Sequence, residues 1–524
     1  MRRSLRVLRR ALAWAGFIVL FVAAVVTGVL WLTLPPRSQQ VRIAGLSGPV
    51  DVGFDGDGIP RIRAASATDA AAALGFVHAR DRLFQMDLMR RAASGRLSEM
   101  AGPATLGTDR MMLTLGLRRR ALADYPTLPA ETRAVLEAYA RGVNAWIAEK
   151  GRFSAPEFLF LGTPEPWQPV DSLLWGQIMG LSLSLNWRTE LSRQALTGRL
   201  PQHKIDELWP PSGGPGRPEA ALIEPALGGI ADALAAALPR FPDPFTLPET
   251  ASNEWAVDGR HTATGAPLLA GDPHLGFGFP SIWYLARIQT PDGVLAGATA
   301  PGVPFLVLGH NGHIAWTFTT TGADTQDVFV ETPAGDGQYQ TPDGPRPFEV
   351  HEERIKVRGQ PDRVVTVRET RHGPVVSDLR DPGGPILAVA MANLAPGNSA
   401  AAGLLALNQA RDVAEAGKAA ALITAPVQNL LVADRERIAL YVTGRVPIRR
   451  AGNGSAPVPG DGSHDWTGWA SDEQLPHIVA PESGRLVNAN ERIAPPDFPV
   501  FLGRDWFGDW RATRIRELLG RSDR

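Results

Sequence analysis

The sequence predicts an α+β protein in which a helical part, a linker and a β-rich part follow one another along the chain. Three observations carry this. Between residues 66 and 198 apolar residues recur at helical spacing, residues 209–251 are dense in Pro and Gly, and beyond residue 252 short β-prone runs alternate with turns. A chain of 524 residues holds ample core for that much structure.

The elements follow in order. MRRSLRVLRR carries five arginines, and Ala11 to Pro36 then contains no charged residue. A bilayer core needs about 20 apolar helical residues, whereas the apolar core of a signal peptide needs about 7–15. Residues 1–36 therefore read as a signal anchor with its N-terminus inside and residues 37–524 outside the cytoplasm, periplasmic or extracytoplasmic at the inner membrane. A cleaved signal and a buried core helix are the alternatives. Residues 41–62 suggest strands and turns. Ser66 with Asp69 forms a capping box that opens a helix running through Met100, and residues 131–150 and 171–198 repeat the helical pattern. Residues 37–208 are thus a mainly helical segment. Residues 209–251 read as a linker with one short Ala-rich helical patch, and residues 252–524 as a run of strands.

Composition removes several function classes. With 53 basic against 54 acidic residues there is no electrostatic case for nucleic acid or an anionic surface as partner. The basic charge is nearly all Arg. Cysteine is absent, which excludes disulfides, thiolate nucleophiles and Cys-ligated zinc. There is no G-x-S-x-G elbow, no H-E-x-x-H, no P-loop and no G-x-G-x-x-G before a helix.

What remains is the start of the β-rich part, Ala251-Ser252-Asn253-Glu254-Trp255. A lone Ser after a linker is an ordinary turn residue. Here it opens SNEWAVDG, followed in order by GDPHL, GHNGHIAW and D-x-x-D-V-F. Upstream stand GFVHARDRLFQMDLMRRAASGRLSEMAG and YARGVNAWI; downstream stand GRVPIRR, PVPGDGSHDWTGW and SGRLVNANER. In this order, over residues 45–524, the blocks resemble the penicillin acylase family of N-terminal-nucleophile amidohydrolases, which includes penicillin G, cephalosporin and acyl-homoserine-lactone acylases.

The resemblance implies an αββα sandwich of two antiparallel sheets shared between an α-chain and a β-chain, an α/β heterodimer cut from one precursor. It also implies a chemistry. A serine hydroxyl is a weak nucleophile and needs an adjacent base. Cutting before Ser252 gives that residue a free α-amine of pKa about 7.7–8.0, so one residue supplies nucleophile and base. The same hydroxyl can make the cut by attacking the Ala251 carbonyl, and the linker becomes a spacer. The implied activity is hydrolysis of a small N-acyl amide, R–CO–NH–R′, through an acyl-Ser252 ester.

The implied oxyanion donors are the backbone N–H of Thr320 and the side-chain amide of Asn490. Asn490 alone would be an ordinary turn-capping residue. His274 stands where penicillin G acylases have Gln, a departure shared with the cephalosporin and acyl-homoserine-lactone acylases, and Arg511 matches an arginine that orients the catalytic Asn. Leu275, Leu308, Phe318 and Leu407 match the wall of an apolar acyl pocket. Asp324 and Asp327, the carbonyl of Gln326, and Glu190 match a calcium site tying the two chains together, and Ca²⁺ favours such oxygens. A further family aspartate is missing, with Val500 in its place. No organic cofactor is expected. Family members usually continue beyond RIRELLGRSDR, so the β-chain is expected to be short at its C-terminus. Two rivals remain: a maturation-defective member acting as a membrane-anchored non-catalytic protein, and an unrelated serine hydrolase with a His-based triad.

Overall fold

The computed structural model describes residues 2–184, 186–210, 251–275, 278–380 and 384–521. Most of the expected linker, residues 211–250, lies outside the described residues. The fold is α+β, with helices before residue 210 and mostly strands after residue 251.

Helix α1 (Arg2–Thr33) is long and apolar enough to cross a membrane or to serve as a signal sequence, and its most apolar stretch is exposed. Its apolar part, Arg6–Thr33, has 28 residues. At about 1.5 Å per residue that exceeds a hydrocarbon core of about 30 Å. Helix α2 (Ala67–Ala93) starts at Ser66, whose hydroxyl accepts from the Asp69 N–H at 3.1 Å. Only half of the capping box forms. The Asp69 carboxylate takes the N–H and hydroxyl of Ser47 instead, pinning the preceding loop to the helix. The helix stops short of Met100 because Gly95 turns left-handed at φ 65°. Helix α3 (Ala130–Lys150) crosses α2 closely: a Cβ on Gly142 would stand 1.8 Å from the Ala72 carbonyl oxygen. The expected helix 171–198 is two helices, α4 (Asp171–Leu183) and α5 (Asn186–Leu196).

Helix α2 packs on β2 (Pro60–Arg63) and β5 (Tyr284–Thr290) of a nine-stranded sheet. Its strands, in spatial order, are β1 (Asp51–Phe54), β2 (Pro60–Arg63), β5 (Tyr284–Thr290), β6 (Gly293–Thr299), β7 (Leu308–His310), β8 (Ala315–Thr320), β10 (Gln428–Ala433), β11 (Ile438–Val442) and β12 (His477–Val479). Strands from before and after the linker therefore share one sheet. The expectation of purely antiparallel sheets needs correction, since β2 and β5 pair in parallel with Ile62 opposite Ile288. Two strands so far apart in sequence are free of the hairpin constraint that forces antiparallel pairing. His78 fastens α2 to this layer, its ring nitrogens bonding Tyr139 Oη at 2.8 Å and Thr299 Oγ1 at 2.9 Å. Full burial drives its pKa down to about 3, so the link stays neutral.

A second, three-stranded sheet stacks on β8 and β10. It consists of β3 (Ala251–Val257) between β4 (Leu268–His274) and β13 (Arg485–Asn488). Side chains alternate along a strand. Ser252, Glu254 and Ala256 are accordingly buried, while Asn253 and Trp255 are half-buried. A last helix, α7 (Trp510–Arg521), packs beside β3 and β13. A helix between β9 (Gln326–Glu331) and β10, α6 (Ala400–Gln409), adds to the main core.

Candidate active site

Ser252 is the second residue of β3 and is 3% exposed. Its backbone nitrogen donates to Asn490 Oδ1 at 2.6 Å. Asn490 Nδ2 donates to the Thr320 carbonyl at 2.8 Å. Arg511, in the first turn of α7, clamps the assembly: Nη1 donates to the Ser252 carbonyl at 2.7 Å, and Nη2 to the Ala489 carbonyl at 2.6 Å and Asn490 Oδ1 at 3.0 Å. Of the five expected catalytic positions, the structure brings four together: Ser252, Thr320, Asn490 and Arg511.

The fifth stands next door. His274 faces Ala251 across the β3–β4 ladder, but its Nε2 pairs with Asp272 Oδ2 at 2.7 Å and its side chain is 42% exposed. Among the described residues no histidine or carboxylate bonds the Ser252 hydroxyl.

Asn490 sits at φ +70°, a left-handed conformation that Asn tolerates better than most residues. Its turn is held from below by a buried polar network, which the sequence reading missed. Asn488 Oδ1 accepts from the Asn490 N–H at 3.0 Å and from Asn429 Nδ2 at 2.9 Å. Thr319 Oγ1 lies 2.9 Å from that same oxygen, 3.0 Å from Asn429 Nδ2 and 3.1 Å from Glu254 Oε1. A hydroxyl has one proton and cannot donate to both Asn488 and a Glu254 carboxylate. The network closes when Glu254 is protonated and donates to Thr319, which donates to Asn488. Burial pushes the Glu254 carboxyl well above the usual carboxylate range, which supplies that proton. The signal was present in SNEWAV: position 254 shares the strand face of position 252.

Beside Ser252 opens a largely apolar cavity of about 120 Å³. Leu275, Leu308, Phe318 and Thr320 line it, as do residues of α4. Leu407 needs correction. It lies fully buried in the core on α6, and Leu404, about one turn earlier, takes the place at the cavity wall.

The acidic group linked by resemblance to calcium is built around a guanidinium. Arg449 Nε donates to Asp327 Oδ2 at 2.7 Å, and its Nη2 donates to Asp327 Oδ1 at 3.0 Å and Asp324 Oδ1 at 2.9 Å. The Trp466 indole N–H adds a bond to Asp327 Oδ2. Glu190 Oε2 accepts from the Val328 N–H at 3.0 Å, and burial, then Asp327 and Asp324, push its carboxyl well above the usual range. Gln326 is buried in β9 in register with Met391. Among the described residues no three His, Cys, Asp or Glu side chains are gathered to hold a metal. Arg449 thus takes both Asp327 oxygens and one Asp324 carboxylate oxygen, and its cation stands where a calcium ion would place its charge, while Glu190 Oε1 is buried without a partner among the described residues.

Ser252 thus stands one residue into its strand, with its nitrogen held by an asparagine amide that an arginine orients. The chain belongs to the penicillin amidase family, whose model matches residues 49–524. It is 36% identical over 506 residues to penicillin acylase 2 proenzyme of Pseudomonas sp. (strain SE83) and 33% identical over 518 residues to acyl-homoserine lactone acylase QuiP of Pseudomonas aeruginosa, each alignment covering 94% of this chain. The chain spans 64% and 60% of those relatives' own lengths. Among solved structures, the thermostable penicillin G acylase from Alcaligenes faecalis matches at 25% identity and a TM-score of 0.46, over 52% of this chain and 49% of that one.

Proposed function

We propose that this protein is an acylase that hydrolyses an N-acyl amide through an acyl-Ser252 ester, after cutting its own chain between Ala251 and Ser252. The observation that carries the reading is the Ser252 nitrogen on Asn490 Oδ1 with no histidine or carboxylate among the described residues on the Ser252 hydroxyl. A base other than a side chain is then needed, and the α-amine freed by the cut is one.

In this reading the Ser252 hydroxyl attacks the substrate carbonyl while the α-amine accepts the hydroxyl proton and passes it to the leaving amine. Asn490 Oδ1 keeps that nitrogen in place, and Arg511 orients Asn490 from the other side. The tetrahedral oxygen is served by Asn490 Nδ2 and the Thr320 N–H. Such donors matter because they act where charge develops rather than on the neutral substrate. Water then repeats the attack on the ester, releasing the acid and restoring the amine. The first cut uses the same donors on the Ala251 carbonyl.

The apolar cavity supports an apolar or aromatic acyl group, and His274 argues against a strict penicillin G preference. The relatives' names offer penicillins and acyl-homoserine lactones as first substrates. We place the product α- and β-chains in an αββα sandwich, supported by the stacking of the β3 sheet on β8 with helices flanking both. Helix α1 exports the precursor and anchors it or is removed. The test is amine release from penicillin G, an acyl-homoserine lactone and a chromogenic N-acyl anilide. No turnover of any of them by the wild type, or equal turnover by Ser252→Ala, overturns the proposal.

A further inference from the structure

The lining of the cavity beside Ser252 includes a buried amide oxygen that has no hydrogen-bond partner among the described residues. It is Oε1 of Gln177, on α4, a residue 2% exposed. On α4, Ser172, Leu173, Gly176, Gln177 and Leu183 line the cavity. Gly176 adds room at that point, since a Cβ built on it meets nothing within 4 Å. An amide buried without a partner is unfavourable, and natural proteins keep few of them. The other polar groups at this wall show the contrast. Ser172 Oγ accepts from the Trp167 indole N–H at 3.1 Å, and Asn398 Oδ1 accepts from the Ala400 N–H at 3.0 Å.

A second atom in the cavity lining shares the condition. Asp124 is 5% exposed; its Oδ1 accepts from the Gly397 N–H at 2.8 Å, and its Oδ2 has no partner. The nearby cation, Arg445, spends Nη1 and Nη2 on the carbonyls of Pro396 and Gly397. The lining of a largely apolar cavity thus includes an unsatisfied carboxylate oxygen and an unsatisfied amide oxygen among the described residues.

We propose that Gln177 and Asp124 form a polar subsite that selects acyl groups carrying a hydrogen-bond-donating substituent, a hydroxyl or an amino group, on an otherwise apolar chain. This rests on the acylase reading and names its substrate class. Gln177 can accept from and donate to a hydroxyl, and Asp124 can accept from either group and offset an ammonium charge. A plain alkyl chain of the same length would leave both groups buried and unsatisfied, which is how a site built for a polar group rejects the analogue without it.

The experiment compares kcat/KM for p-nitroanilides of three acids of one chain length: unsubstituted, hydroxyl-bearing and amino-bearing. Each substituted acid is tried at several positions along the chain. Wild type is expected to favour a substituted substrate over the plain one by about tenfold or more. Gln177→Met, of similar volume, is expected to bring the hydroxyl-to-plain ratio near one. Asp124→Asn is expected to lower the amino-to-plain ratio by at least as much and the hydroxyl ratio less.

Turnover of any of the three anilides by wild type establishes the acylase reading independently, so turnover of none of them is a failure of that reading and not of the subsite. A wild type that turns over the plain substrate at least as well as every substituted one overturns the subsite. So do variants that fold and keep the wild-type ratios. Should Gln177→Met fail to fold, the wild-type ratios and Asp124→Asn still decide.

Discussion

Replacing Asn490 by alanine and, separately, by glycine divides its chemical role from its structural one. Either change removes three hydrogen bonds, to the Ser252 nitrogen, the Arg511 guanidinium and the Thr320 carbonyl. The Thr320 carbonyl is left without this donor in a buried site, which costs about 1–3 kcal/mol of stability. Alanine adds the strain of a Cβ at φ +70°, about 1–2 kcal/mol, which glycine does not carry. The glycine variant is therefore the more stable of the two by about that amount, read from thermal or denaturant unfolding. Activity follows a different rule. Loss of one oxyanion donor costs about 10²–10³ in kcat, roughly 2.7–4 kcal/mol, and glycine gives no relief. KM for an N-acyl anilide changes much less, because a ground-state carbonyl carries little of the charge. Cutting at Ala251 slows by a similar order, since it passes through a similar oxyanion, so kcat is compared on the cut fraction. A folded Asn490→Gly protein with wild-type kcat would refute the reasoning.

Other outcomes follow from the buried charges. A carboxyl whose pKa is raised on folding holds a proton that the unfolded chain releases above its ordinary value of about 4.3. Stability is therefore lost as pH rises from there toward the folded pKa. Glu254→Gln mimics the protonated acid, so its stability advantage over wild type grows with pH above about 5 while activity is kept; parallel unfolding midpoints across pH contradict a protonated Glu254. Glu254→Leu cannot donate to Thr319 and is expected to slow both cutting and turnover, whereas an unaffected rate would detach the network from Asn490. With Arg449 seated between Asp324 and Asp327, a chelator leaves the unfolding temperature unchanged, whereas Arg449→Met costs about 3–5 kcal/mol by stranding buried carboxylates. A melting point that falls on chelation would restore calcium to the site.

Much of this was legible in the sequence, for reasons that differ by residue. Helices α2 and α3 announce themselves through apolar spacing, and Ser66 marks where the first begins. Their close crossing rests on Gly75 and Gly142, whose role needs three dimensions to see. Ser252, Asn490 and Arg511 were found through motif order, because hydrogen bonds spanning 238 and 259 positions leave no local trace. Leu407 was misplaced for the opposite reason. On an apolar helix such as Ala400–Gln409, pattern cannot say which leucine meets a cavity and which meets the core, and the structure chooses Leu404. The acidic cluster reads as a calcium site through the resemblance, which aligns its carboxylates with those of the family. Its neutralising partner, Arg449, lies 122 residues beyond Asp327 in GRVPIRR and carries no mark of that role.

The central claim is that Ser252 becomes a chain terminus by its own action. Intact mass and N-terminal sequencing of the purified protein, expressed as wild type and as Ser252→Ala, test it most directly. The account predicts two chains from wild type, the second beginning Ser-Asn-Glu-Trp, and one uncut chain from Ser252→Ala. A wild-type chain that stays whole, a second chain beginning elsewhere, or normal cutting in Ser252→Ala would contradict it.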